Sequence, residues 1–232
     1  MSPTVEALPQ GEAKATAVRS MFDAIAPRYD LVNRIMTFGL DRGWRRRTVG
    51  ALGLPSGSVV VDLAAGTGDL CRDLQSAGQR AYGFDLSAGM LDHARTTAPL
   101  VQADALRLPV ATGAADGAVC GFALRNFVAL PPFFAELARV VRPGGRIALL
   151  DVAEPRQAVL RLGHRVYFSA VVPRIGGLLS DGAAYRYLPR SVAYLPEPDE
   201  LVASLAAAGF AAVERRLLTG GITQLLTGTR AA

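Results

Sequence analysis

The stretch with the clearest chemical potential is a turn of small residues that directly follows the β-branched run at positions 59–63. In this turn, Gly66 and Gly68 allow the backbone to approach a bound ligand closely. A dinucleotide-binding turn would place a third glycine where Cys71 stands, and Asp69 in the next helix would repel a pyrophosphate. The turn therefore favours a ligand with a positive centre and an amino group, although a plain strand-to-helix connection would explain the turn alone.

Two further acids stand where later strands are predicted to end. Asp85 can accept hydrogen bonds from both hydroxyls of a ribose, and Asp104 can accept one from an exocyclic adenine amine. The backbone N–H of Ala105 can reach the adjacent ring nitrogen. One such acid is often a helix cap or a solvated charge, but acids at three successive strand ends favour a ligand site. The combination predicts S-adenosylmethionine as the cofactor.

These residues require a sheet whose strand ends meet at one edge. The apolar patterns predict strands and helices in alternation, with strands at 58–63, 80–85, 100–104, 116–124, 146–152, 211–218 and 222–230 and helices at 68–77, 87–97, 131–141 and 199–210. This order predicts an α/β fold with a Rossmann-like, seven-stranded, mostly parallel sheet and one antiparallel strand. Ligands of such sheets bind beyond the carboxyl ends of the strands, where the glycine turn lies.

Two segments lie outside this alternation. Residues 13–52 are predicted to form an N-terminal helical segment, and residues 155–198 a helical insertion after strand five that caps the substrate. We expect one domain over residues 1–232, with a flexible N-terminus over residues 1–16.

Composition narrows the class of protein. The chain has 232 residues, half of them hydrophobic, with a formal net charge of +5 and Lys14 as its single lysine. Because this excess of arginine is modest and dispersed, no nucleic-acid partner is expected. Cys71 and Cys120 make no disulfide framework, and His93 and His164 lack metal-ligand spacing, so no metal is expected. A cytoplasmic location is expected, because the sequence shows neither a long apolar span nor a secretory leader.

Polar residues also follow predicted strand four, in the segment FALRN. Arg125 and Asn126 would stand at the edge of the ligand site and face a substrate. An arginine held in a salt bridge at a helix entry is the plainer interpretation, and the residues alone allow both.

Four segments resemble, in this order, the motifs of class I S-adenosylmethionine-dependent methyltransferases: VVVDLAAGTGD, GFDLSAGML, QADALRLPV and RVVRPGGRIALLD. The N-terminal segment at 21–47, FALRN and the segment at 166–210 narrow the resemblance to the ubiquinone/menaquinone C-methyltransferase family. The sequence departs from that family at Ala65 and Gly121, where the family has glycine and serine. Near Gln224 it also lacks the histidine that is the family's usual candidate base.

The resemblance implies an S-adenosylmethionine-dependent C-methyltransferase acting on a prenylated quinol ring, with demethylmenaquinol to menaquinol as the expected reaction. The alternatives are an O- or N-methyltransferase for a related prenylated or polyketide aromatic compound and a non-catalytic cofactor-binding module. Expected partners are the quinol, the inner face of the membrane in a peripheral contact, and a second copy in a homodimer. The membrane expectation rests on the apolar residues and arginines of 155–198, which an ordinary lid would also explain.

The candidate site residues form three groups. In the first, Arg125 is expected to stabilise a ring oxyanion, Asn126 to hold a ring oxygen and Tyr29 to shape the methyl channel. The cofactor-binding candidates are Asp62, Ala64, Gly66, Thr67, Gly68, Asp85, Leu86, Met90, Asp104, Ala105 and Gly121. The substrate candidates are Tyr185, Tyr187 and Phe168.

Overall fold

A central sheet organises the chain, which we describe from a computed structural model. The structure describes residues 10–155, 157–167 and 191–232, together with positions 172, 174 and 187. The strands are β1 (Val59–Leu63), β2 (Arg80–Asp85), β3 (Leu100–Gln102), β4 (Ala115–Gly121), β5 (Val141–Val152), β6 (Phe210–Leu218) and β7 (Thr223–Arg230). Their order across the sheet is β3-β2-β1-β4-β5-β7-β6. All neighbours pair in parallel except those of β7, which runs antiparallel to both β5 and β6. The predicted fold class is thereby confirmed.

Helices cover both faces of this sheet. The helices of the described residues are α1 (Gly11–Ile25), α2 (Tyr29–Met36), α3 (Asp41–Leu52), α4 (Asp69–Ser76), α5 (Ala88–Asp92), α6 (Leu130–Val140), α7 (Ala158–Val166) and α8 (Pro198–Ala207). On one face, Phe133 and Leu137 of α6 share a buried apolar cluster with Leu63 of β1. On the other, Leu52 of α3 and Leu74 of α4 share a cluster with β1 and β4 residues. Because β1 is covered on both faces, Val59, Val60 and Val61 are all apolar, and the polar Asp62 comes only next to its last residue.

Register brings the ends of three strands together. Leu63 at the end of β1 pairs with Phe84 of β2 on one side and with Cys120 of β4 on the other. The residues that follow these strands therefore leave the sheet at one edge, as the sequence predicts.

Several predicted boundaries are wrong, and each has a local cause. The flexible segment predicted over 1–16 is interrupted by α1, which begins at Gly11, while residues 1–9 lie outside the described residues. The helix predicted at 87–97 ends at Asp92, because the backbone then turns so that Arg95 N–H bonds to Thr67 O at 3.0 Å. Strand four ends at Gly121, because Phe122 adopts a left-handed φ of 60°.

Candidate active site

The glycine turn after β1 is fixed by an acid from β2. Gly66 N donates to Asp85 Oδ2 at 2.7 Å, and Ser87 N donates to Asp85 Oδ1 at 2.8 Å. Gly66 itself has a φ of 55°, which favours glycine. Burial raises the pKa of Asp85, whereas these backbone hydrogen bonds lower it. Asp85 thus joins the turns after β1 and β2, a bracing role that sequence reasoning missed, and each of its oxygens retains a second lone pair for a ligand.

Two joined cavities lie beyond this turn. The larger has a volume of about 500 Å³ and the smaller about 120 Å³. Their shared lining, at the passage from one to the other, consists of Phe22, Tyr29, Ala64, Gly66, Gly121 and Phe122. An elongated ligand can therefore occupy both cavities, with its middle at the glycine turn.

The structure brings nearly all predicted cofactor residues to these cavities. The smaller cavity is lined by Asp85, Leu86, Met90, Asp104 and Ala105, the larger by Asp62 and Thr67, and both by Ala64, Gly66 and Gly121. Gly68 lines neither cavity. Its φ is 79°, and a Cβ added there would lie 2.6 Å from Thr96 Cγ2, so backbone conformation and packing require glycine at this position.

Asp62 provides the clearest test of whether S-adenosylmethionine fits. The side chain is fully buried at the end of β1 and lines the larger cavity. Its Oδ2 accepts a hydrogen bond from Cys71 Sγ at 3.3 Å, while Oδ1 has no hydrogen-bond partner among the described residues. Burial raises the pKa of Asp62 to about 7. A buried, unpaired carboxylate oxygen is costly unless a donor satisfies it, and a ligand ammonium group would do so.

The smaller cavity fits the nucleoside part of the same ligand. Asp104 Oδ1 accepts from Leu106 N at 2.9 Å, which fixes the carboxylate at the cavity edge. Met90 and Ala105 supply apolar wall beside it. The described residues therefore fit S-adenosylmethionine, with the amino-acid part near Asp62 and the adenosine near Asp104.

Two acids of the N-terminal segment fasten helices α1 and α2 over the cofactor cavities, a feature that sequence reasoning missed. Asp23 Oδ1 accepts from Ser87 Oγ at 2.5 Å and from Gly89 N at 3.0 Å. Asp30 Oδ1 accepts from Thr67 Oγ1 at 2.5 Å. The N-terminal helices thus close the site through hydrogen bonds to the turns after β1 and β2, which line the cavities.

Arg125 lies in a buried ion pair. Its Nη1 pairs with Asp151, its Nε donates to Ser191 Oγ at 3.1 Å, and its backbone N donates to Asp151 Oδ2 at 3.3 Å. The side chain also lines the larger cavity, and the described residues offer its Nη2 no hydrogen bond. The ion pair that the sequence allowed is present, and the catalytic role stays a prediction that Nη2 makes feasible.

The other predicted catalytic and substrate residues do not all lie in the larger cavity beside Arg125. Asn126 lines the smaller cavity rather than the larger, and its Oδ1 accepts from Tyr187 Oη at 3.4 Å. Burial raises the pKa of Tyr187 to about 12, so its hydroxyl stays protonated. Tyr29 lies at the passage between the cavities, with its ring edge-on to Phe22 at a centroid distance of 5.9 Å. Tyr185 and Phe168 lie outside the described residues.

Two polar residues that the sequence placed near the chemistry are held by other side chains. Asp69 lines the larger cavity, as predicted, and forms ion pairs with Arg45, at 2.8 Å, and with Arg72, so both arginines compensate its charge. Gln224 lines neither cavity: its Oε1 accepts from Arg215 Nε at 2.5 Å and its Nε2 donates to Val152 O at 3.0 Å. Gln224 therefore does not replace the missing histidine as a base.

Solved structures share this architecture. A Haloferax volcanii methyltransferase in complex with the Trm112 methyltransferase activator superposes with a TM-score of 0.67 at 17% identity, over 91% of this chain and 98% of that one. The Haemonchus contortus phosphoethanolamine N-methyltransferase 2 in complex with S-adenosyl-L-methionine gives a TM-score of 0.60 at 12% identity, over 81% of this chain and 52% of that one. At these identities the likeness concerns the fold alone.

Sequence comparison identifies the protein family of this chain. The chain belongs to the ubiE/COQ5 methyltransferase family, whose family model matches residues 10–230. The ubiquinone/menaquinone biosynthesis C-methyltransferase UbiE of Syntrophotalea carbinolica is 42% identical over 91% of this chain and 93% of the relative. The demethylmenaquinone methyltransferase of Thermus thermophilus is 43% identical over 90% of this chain and 100% of the relative. The resemblance drawn from the motifs is confirmed.

Proposed function

We propose that this chain methylates a ring carbon of a prenylated quinol, converting demethylmenaquinol to menaquinol. The observation that carries the proposal is the larger cavity, which joins the smaller, nucleoside-side cavity at Tyr29 and Gly66 and, at about 500 Å³, extends beyond the cofactor's amino-acid part near Asp62. Its wall includes Phe22, Trp44 and Phe122, a surface that suits a flat aromatic ring. The names of the relatives supply the ring's identity.

When bound, S-adenosylmethionine supplies an electrophilic methyl group. The chain's contribution is to hold the acceptor carbon in line with that methyl and to make it nucleophilic. Arg125 favours the ionised ring hydroxyl, because a nearby guanidinium lowers the pKa of an acidic group. Since no described histidine lines either cavity, this electrostatic role replaces a dedicated base.

The proposal also assigns positioning roles to individual residues around the two cavities. Tyr29 shapes the passage between cofactor and acceptor. Asn126 lies on the side of the smaller cavity and is hydrogen-bonded to Tyr187. These two residues position the segment that carries Arg125, and they do not hold the ring oxygen. A peripheral membrane contact belongs to the same proposal, because a prenylated acceptor resides in a bilayer. A homodimer stays a prediction from the sequence.

Turnover on acceptors of different oxidation state and ring tests the proposal. With labelled S-adenosylmethionine, the purified protein should methylate a short-chain demethylmenaquinol and leave the oxidised quinone unmodified, because only the quinol has a hydroxyl to ionise. Arg125→Lys should lower kcat by about 10²-fold or more, since a lysine ammonium does not reproduce the planar donor geometry. Arg216→Gln, on exposed β6, is the matched control. Equal turnover of quinol and quinone, or labelling of neither by a protein that binds the cofactor, would contradict the proposed function.

A further inference from the structure

Helix α2 is apolar on the face that points away from the protein. Leu31 and Ile35, one helical turn apart, are 55% and 40% exposed. Between them Val32 is fully buried, and the cavity is lined by Tyr29 and Asn33 from the opposite side of the helix. A surface helix of a globular protein ordinarily presents polar residues to water, so this exposed pair needs an explanation.

Helix α7 presents a second apolar face to solvent. Val159 is 84% exposed, Leu162 61% and Val166 54%. Their spacing of three and four residues places them on one side of the helix. The two helices come from segments more than a hundred residues apart, so their exposed apolar faces arise independently in the sequence.

Both faces adjoin the mouth of the larger cavity. Phe38, just after α2, and Val159 and Leu160 of α7 all line that cavity. The ring of Phe38 lies 5.7 Å from the ring of Tyr167, and Tyr167 Oη donates to Met36 O at 2.8 Å, which joins the two segments. Phe38 is 77% exposed although its φ is 51°, an unfavourable conformation for an aromatic residue. In this conformation the large apolar ring of Phe38 is exposed to water beside the cavity mouth.

Positive charge borders these apolar residues. Arg34 lies on the exposed side of α2 between Leu31 and Ile35, and Arg161 is exposed on α7. The sequence of α7 contains no acid, and the one acid of α2, Asp30, is hydrogen-bonded to Thr67. The local charge is therefore complementary to anionic headgroups.

We propose that these residues dock the enzyme on an anionic lipid bilayer with the cavity mouth facing the acyl chains. We call the set the apolar rim: Leu31, Ile35, Phe38, Val159, Leu162 and Val166. Two amphipathic helices with arginines at their borders match the chemistry of an interfacial contact, in which apolar side chains enter the headgroup region. No helix among the described residues is both long and apolar enough to cross a membrane. The docking itself stands on the rim; only its use, delivery of a prenylated acceptor, rests on the proposed function.

A second copy of the chain is a less suitable occupant. A twofold dimer built on the apolar rim would bring Arg34 and Arg161 of each copy close to the same residues of the other. Like charges facing each other across an interface are unfavourable, whereas a bilayer containing anionic lipid neutralises them.

Vesicle flotation tests the proposal without substrate. The full chain is mixed with vesicles of phosphatidylcholine alone or of equal parts phosphatidylcholine and phosphatidylglycerol. We expect binding to the anionic vesicles that weakens at about 1 M salt, where the screening length falls to about 3 Å. Leu31→Gln combined with Leu162→Gln should lower the partition coefficient at least about tenfold, because two side chains leave the apolar layer. Neither residue lines a cavity, and Val101→Gln on edge strand β3 is the exposed apolar control.

Variants that remove charge, together with turnover assays, complete the test. Arg34→Gln combined with Arg161→Gln should weaken anionic binding about fivefold or more per arginine, whereas Arg216→Gln should not. The Leu31→Gln/Leu162→Gln variant should keep wild-type turnover on a short-chain soluble quinol and lose turnover on a long-chain quinol in vesicles. Absence of wild-type flotation, equal flotation of the rim variant, or a change in that variant from dimer to monomer by light scattering would overturn the docking. Failure to methylate any quinol despite normal flotation would refute the proposed function and leave the docking standing.

Discussion

The buried pair of Arg125 and Asp151 allows stability and catalysis to be separated in one set of variants. Arg125→Met removes the cation and leaves the fully buried Asp151 with hydrogen bonds from backbone N–H groups but without a counter-charge. Breaking one side of such a pair costs about 3–5 kcal/mol of unfolding free energy. For a chain of this length, each kcal/mol lowers Tm by roughly 2–4 °C, so the expected loss is roughly 6–20 °C.

The double variant Arg125→Met/Asp151→Asn removes both charges and should recover most of the lost stability, because no uncompensated charge remains buried. Its turnover should nevertheless stay about 10²–10³-fold below wild type, since the guanidinium of the residue that lines the larger cavity is gone. Cofactor affinity should stay near wild type, because Arg125 does not line the nucleoside-binding smaller cavity and its side chain is hydrogen-bonded to Asp151 and Ser191 rather than to Asp62.

Three measurements on each variant separate the structural role of Arg125 from its catalytic role. They are urea unfolding, calorimetric titration with S-adenosylhomocysteine, and initial rates with a short-chain quinol. A single variant destabilised by less than about 1 kcal/mol would refute the assigned energy of the buried pair. A stable double variant with wild-type turnover would refute the catalytic role of Arg125 and leave it a structural residue.

Three further predictions concern the cofactor site. Because burial raises the pKa of Asp62 to about 7 from an unfolded value of about 3.9, the folded protein holds a proton that the unfolded chain has lost. The unfolding free energy of the cofactor-free protein should therefore fall as pH rises from about 4 to 7, and Asp62→Asn should remove this slope in urea titrations. Asp23→Asn should weaken S-adenosylmethionine binding about fivefold, equivalent to about 1 kcal/mol, whereas Asp92→Asn on exposed α5 should not; equal effects by calorimetry would contradict the fastening role. Gly68→Ala should destabilise the fold by about 2–3 kcal/mol and Gly66→Ala by only about 1, because both have positive φ but only the methyl at position 68 meets a neighbouring threonine; equal losses of unfolding free energy would contradict this packing.

The order of the elements was predictable because most strands of the central sheet contain a short apolar run and several of them alternate with a helix. The acids at strand ends were predictable for the same reason, since a polar residue after a buried strand must leave the sheet at its edge. Asp85 and Asp104 illustrate this: both line the smaller cavity. Strand ends were less predictable, because the turn at Phe122 depends on a strained backbone conformation that no local composition signals.

Contacts between distant segments were not predictable from one sequence. Asp23 meets Ser87 across 64 positions, and Lys14 Nζ donates to Phe127 O at 2.6 Å across 113. Such pairs exist only once the N-terminal helices fold over the sheet. The same holds for Asp69, whose arginine partner from α3 could not be identified from sequence spacing. Sequence reasoning therefore located the edge of the sheet at which the cavities lie, and it missed the contacts by which the N-terminal helices close them.

The position of the transferred methyl tests the central claim most directly. The purified protein is incubated with methyl-deuterated S-adenosylmethionine and reduced short-chain demethylmenaquinol, and the product is analysed by fragmentation mass spectrometry and NMR. We expect one labelled methyl on the ring carbon adjacent to the hydroxyl-bearing carbon, with no label on oxygen. A labelled methoxy product, or an unlabelled quinol from a folded protein that binds the cofactor, would contradict C-methylation of the quinol ring.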